Sequence, residues 1–234
     1  MVTDRINICG IPATIWGEKS EKVFLAVHGN MSNKEDTVIR LLAEAAAQHG
    51  YQTISFDLPE HGERTAEGTP CKVQYCVQDL RKIMDFTRNR WTQVSLFACS
   101  MGAFFSLLEY HNEPLNQSLF LSPVVDMQRI ISNLMTWFDV SEEQLKSRQE
   151  IQTPIGQTLY WDYYCYVREH PIQKWDSQTF ILYGENDNLC ERETINSFVH
   201  RFGCQLAVVE SGEHYFHTHQ QLADFSAWAK QNIC

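Results

Sequence analysis

Four short stretches of this chain combine residue types that together can carry acyl transfer. Ser100 stands in Ala98-Cys99-Ser100-Met101-Gly102, with a small residue two positions to either side. His28-Gly29-Asn30 lies upstream; Gly184-Glu185-Asn186-Asp187 and Ser211-Gly212-Glu213-His214 lie downstream. A free serine hydroxyl is a poor nucleophile at neutral pH. An imidazole bonded to it takes its proton during attack and returns one to the leaving group. A carboxylate on the second ring nitrogen fixes the tautomer and stabilises the imidazolium. The tetrahedral oxyanion then needs preorganised N–H donors, and the backbone amides of Met101 and Asn30 are the candidates. Ser100 therefore reads as nucleophile, His214 as base and Asp187 as orienting acid.

Each role has a rival. Cys99 is nucleophilic by type, but as the turning residue it would have Phe97 and Met101 at the crossing positions, and both are too large. Asp126 follows Ser122-Pro123 and competes with Asp187, which has Gly184 to make its turn. His217 and His219 lie close to His214, yet no spacing of carboxylates or cysteines completes a metal motif, so no metal and no organic cofactor is expected. These two read as the start of the last helix, His28 as a hydrogen bonder at a strand end, and His61 as a loop-ordering residue. Lys34 reads as a solvated residue at a helix start or as a substrate contact. Trp137, Tyr160 and Tyr164 belong to an aromatic-rich stretch that fits a core or a substrate wall equally well.

The elements that must hold these residues alternate. Val23–Val27, Tyr51–Phe56, Val94–Phe97, Ser118–Leu121, Thr179–Tyr183 and Gln205–Val209 are short apolar runs, as expected of strands covered on both faces. Helical stripes separate them: Val38 to Ala46 with Asn33 as cap, Val73 to Arg90, the run after Ser100, Glu191 to Phe202, and Thr218 to Asn232. Ile6–Ile8 and Ala13–Trp16 suggest an edge hairpin. The pattern predicts an α/β fold, a mostly parallel twisted sheet with helices on both faces. Sites in such sheets form at the carboxyl ends of strands, where all four polar stretches fall. Residues 126–176 break the rhythm and predict a helical lid inserted in one domain spanning 1–234.

This ordered set, Ser then Asp then His, resembles the α/β-hydrolase superfamily from about Val23 to Asn232. Gly50 to Asp57 followed by His61-Gly62 is similar to that family's segment after the first helix, with Glu60 and Arg64 departing from its usual glycine and serine. Among its members the chain looks most like small carboxylesterases of the cinnamoyl and monoacylglycerol type. The resemblance implies a serine hydrolase acting on a small-molecule ester with an apolar acyl or aryl group. Thioesterase, amidase, peptidase and acyltransferase chemistry share the same triad, and a non-catalytic ligand-binding relative is the remaining class.

Composition agrees. The net charge is -10 and the pI near 5.3, which argues against nucleic-acid or anionic-membrane surfaces. No apolar stretch is long enough for a membrane span, and no secretory leader is evident at Met1-Val2-Thr3-Asp4-Arg5. The eight scattered cysteines form no C-x-x-C pair and are expected reduced in a cytoplasmic protein. Nothing in the sequence sets the number of subunits.

Overall fold

The computed structural model describes residues 1–234, and its central strands bury apolar side chains on both faces. In β3 (Lys22–Val27), Val23, Leu25 and Val27 face one apolar layer, while Phe24 and Ala26 face the other. The same period of two runs through β5 (Gln93–Cys99), β6 (Ser118–Leu121) and β9 (Thr179–Gly184). Strands of this kind need cover on both sides. On one side α1 (Thr37–Gln48) and α8 (His219–Asn232) enclose Phe24, Phe97 and Leu119. On the other, α2 (Val73–Arg88), α3 (Met101–Glu109) and α7 (Arg192–Phe202) enclose Leu25, Leu96 and Ile181.

With β1 (Thr3–Ile8), β2 (Ile11–Trp16), β4 (Gln52–Phe56) and β10 (Gln205–Val209), the sheet has eight strands in the order β1-β2-β4-β3-β5-β6-β9-β10. Strands β3, β4, β5, β6, β9 and β10 pair in parallel. The edge hairpin β1-β2 turns at Cys9-Gly10 and joins β4 antiparallel. The mostly parallel sheet with helices on both faces is the architecture that the alternation of strand and helix predicts.

Two local expectations differ. Helix α1 is capped by Asp36, whose carboxylate accepts the Thr37 N–H, and not by Asn33. Asn33 instead accepts the Glu35 N–H at 2.8 Å, which closes a turn just ahead of the helix. The insertion between β6 and β9 is also not wholly helical. It holds α4 (Met127–Trp137), α5 (Glu142–Arg148), a hairpin of β7 (Glu150–Gln152) with β8 (Thr158–Tyr160), and α6 (Trp161–Glu169). Strands of three residues are too short to reveal an alternation. Met127, Ile131 and Leu134 recur at about one turn along α4 and join the same apolar layer as α2 and α3. No helix is long and apolar enough to cross a membrane.

Candidate active site

At the carboxyl end of β5 the chain turns sharply into α3. Ser100 makes the turn with φ 47° and ψ -123°, in a region that residues with a Cβ rarely enter. The loop after β3 presses against this turn. A Cβ on Gly102 would lie 2.4 Å from the His28 carbonyl oxygen, and one on Gly29 would lie 3.0 Å from the Ser100 Cβ. Small residues are therefore needed where the two backbones meet.

Two further loops reach the serine. Ser100 Oγ is 2.9 Å from His214 Nε2, and His214 Nδ1 is 2.7 Å from Asp187 Oδ2. The Asp187 side chain is buried, and its second oxygen accepts the N–H groups of Leu189 and Cys190 at 2.9 and 2.8 Å. A carboxylate on Nδ1 keeps the proton there, which leaves the Nε2 lone pair facing the serine. Gly184 permits this meeting. A Cβ at Gly184 would stand 2.5 Å from the Glu213 carbonyl oxygen, so the loops after β9 and β10 cross in contact. The Asn186 N–H donates to the Gly212 carbonyl across that crossing at 2.7 Å. Asp126 is placed elsewhere: it caps α4 by accepting the Arg129 N–H at 2.9 Å.

Asp187, Cys190 and His214 also bring potential metal-ligand atoms within 4.8 Å of one another. The first and last of these are already bonded together, and burial pushes the Cys190 thiol up, away from the thiolate a metal would take. His217 and His219 stand apart from this group, just before and at the start of α8.

The loop carrying Asn30 is fastened from below. His28 is buried; its Nδ1–H donates to the Gly29 carbonyl and its Nε2 accepts the Leu58 N–H at 3.0 Å. Burial lowers its pKa to about 4, so the ring is neutral and both nitrogens are occupied. His61 Nε2 accepts the Met31 N–H at 3.2 Å, tying the loop after β4 to the loop after β3. Lys34 completes the fastening. It is neither solvated nor at the site mouth: it is 4% exposed, its Nζ is 2.6 Å from both Asp57 and Glu63, and Asp57 also accepts the Lys34 N–H. Burial opposes the Lys34 charge, but the two carboxylates outweigh it and raise its pKa. Met101 opens α3, so its N–H has no acceptor within the helix and lies beside Ser100.

A protein family described as serine aminopeptidase, S33, matches residues 18–156, more than half of the chain. The chain belongs to this α/β-hydrolase family. Solved structures share the fold of this hydrolase over nearly its whole length. Est1E from Butyrivibrio proteoclasticus, solved with ferulic acid bound, is 18% identical, with 97% of this chain and 96% of that one covered and a TM-score of 0.79. Alpha/beta hydrolase domain-containing protein 10 from mouse is 13% identical, with 99% and 98% covered and a TM-score of 0.77. An esterase from Pyrococcus furiosus is 16% identical, with 98% and 88% covered and a TM-score of 0.68. No curated protein matches the chain by sequence.

In this hydrolase, Ser100, Met101 and Asn30 open onto a cleft of about 560 Å³ beneath the insertion. Its apolar wall comes from Met127, Ile130, Ile131 and Leu134 of α4, with Leu159 of β8 and Tyr163 of α6. Tyr160 lines the cleft, under the Lys72 ammonium, which sits 4.0 Å from its ring centroid. Tyr164 does not. It is buried inside the insertion, against Trp161 and under the Arg168 guanidinium. Trp137 does not either: it ends α4 and is 56% exposed, away from the cleft. Aromatic type suggested these two as wall residues, but the registers of α4 and α6 turn Trp137 and Tyr164 elsewhere. The aliphatic wall was not anticipated, although its signal lay in the one-turn recurrence of Met127, Ile131 and Leu134.

Proposed function

We propose that this hydrolase cleaves a carboxylic ester of an apolar or aryl acid, through an acyl-enzyme on Ser100. The observation that carries this reading is the hydrogen-bonded chain Asp187–His214–Ser100 opening into an apolar cleft. In this reading His214 Nε2 takes the Ser100 proton as Oγ attacks the ester carbonyl. Buried Asp187 holds the imidazolium that forms. The N–H groups of Met101 and Asn30 receive the oxyanion, each donor of this kind being worth about 3 kcal/mol in the transition state. The imidazolium then protonates the departing alcohol. Water repeats the sequence to release the acid.

Ester cleavage is favoured over removal of an N-terminal residue from a peptide. An aminopeptidase needs an anion for the free ammonium, whereas the cleft wall is mostly apolar and carries a single carboxylate, Glu60. The ferulic acid held by Est1E makes hydroxycinnamate esters the first aryl substrates to try, beside p-nitrophenyl butyrate and hexanoate. Purified protein is expected to turn these over, and Ser100→Ala to lower kcat by at least about a thousandfold. Turnover undiminished in Ser100→Ala would sink the assignment. Thioester and amide analogues of the best acid, assayed alongside, separate ester cleavage from the other acyl transfers.

A further inference from the structure

Two cysteines that the hydrolytic reading does not use meet at the edge of the cleft. Cys71 ends the turn-rich segment after β4 and forms part of the cleft wall. Cys76 lies in the first turns of α2 and is buried. Their Sγ atoms are 3.7 Å apart. The backbone on either side is held: the Cys71 N–H donates to Glu60, and the Cys76 N–H donates to the Lys72 carbonyl at 3.0 Å. The sulfurs need to close by about 1.7 Å to reach bonding distance. No other pair among the eight cysteines is in sulfur contact.

We propose that Cys71 is a hydroperoxide-reactive thiol and that Cys76 resolves it to an intramolecular disulfide in the wall of the cleft. The Cys71 sulfur attacks one peroxide oxygen, the O–O bond breaks, and the leaving hydroxide takes the Cys71 thiol proton to become water, giving a sulfenic acid at Cys71. The Cys76 sulfur then attacks the Cys71 sulfur, the S–S bond forms and the S–O bond breaks. The Cys76 proton leaves with the hydroxyl as water. Two thiols lose two electrons in total, and one peroxide becomes two waters.

The surroundings favour Cys71 as the thiol that starts the reaction. The hydrogen bond from Cys76 lowers the Cys71 pKa against the opposing effect of burial, and neighbouring His61 lowers it further. Cys76 is held well above the ordinary thiol range by burial and by Cys71 itself, a repulsion that ends once Cys71 carries a neutral sulfenic acid. The pair is also tied to the lid. Lys72, between the two cysteines in sequence, contacts the Tyr160 ring and pairs with Asp162 at 3.0 Å. Drawing Cys71 toward Cys76 therefore reshapes the wall around Tyr160.

The test does not depend on ester turnover and is run on wild-type and Ser100→Ala proteins alike. Reduced protein is treated with stoichiometric hydrogen peroxide, alkylated with iodoacetamide and digested with trypsin, which cuts between the two cysteines at Lys72. The expected product is the peptide ending at Lys72 cross-linked to the one beginning at Val73, with a mass about 2 Da below the sum of the two free thiol peptides. In Cys76→Ser, dimedone is expected to trap a sulfenic acid on Cys71. Both cysteines recovered fully alkylated, or Cys71 linked to a different cysteine, would overturn the proposal. In active protein the disulfide is expected to raise KM for the best ester at least about threefold, reversed by dithiothreitol. An unchanged KM in protein proven to carry the bond would overturn its coupling to the cleft.

Discussion

Asp187 and Asp126 carry the same functional group and sit in different worlds. Asp187 is buried against His214, whereas Asp126 satisfies the N-terminus of a helix. If Asp187 orients the base, Asp187→Asn should lower kcat for p-nitrophenyl butyrate by more than about a hundredfold, because the amide favours the wrong tautomer. Asp126→Asn should leave kcat within about twofold, since asparagine also caps helices. The reverse ranking would move the acid to Asp126. The meeting of Ser100, Asp187 and His214 is legible in the sequence because each follows an apolar run and because Gly102 and Gly184 mark where backbones touch. Lys34 is not legible in this way. Its burial depends on Asp57 and Glu63, which are distant in sequence, and a lysine at a helix start is normally solvated.

At the scale of elements, the insertion decides what enters the cleft. Ile131 lines the cleft from α4, while Trp137 on the same helix faces solvent. Ile131→Ala is expected to change the hexanoate-to-acetate ratio of kcat/KM by about tenfold, the scale set by removing methylenes from an apolar wall. Trp137→Ala should leave that ratio within about twofold. An equal shift in both variants would mean that the wall is misplaced. The sheet strands and long helices are legible from their periods, because each buries enough residues to show one. The β7-β8 hairpin is not, since three residues carry no period. Nor are the roles of Trp137 and Tyr164, because residue type does not say which way a helix is turned.

The whole molecule carries a buried neutral histidine beneath its site, and acid should find it. His28 has a folded pKa of about 4, lowered by burial from an ordinary 6.5. Below pH 6.5 the unfolded chain takes up this proton while the folded chain does not, so stability rises with pH across the interval. The contribution is complete above pH 6.5 and is lost progressively as pH falls to 4, by up to about 3 kcal/mol. Urea denaturation at pH 7, 5.5 and 4.5 should show that loss, and His28→Gln should flatten the dependence even if its overall stability is lower. A wild-type stability that holds constant over this window would refute the neutral buried ring. Met127, Ile131 and Leu134 are at once cleft wall and central packing, continuous with the layer beneath α2 and α3. Carving room for a bulkier acid therefore removes packing from the interior, at about 2–5 kcal/mol for each large-to-alanine change. Selection for new acids should thus leave its mark as compensating substitutions far from Ser100, and lineages with wider clefts should melt at lower temperatures until they acquire them.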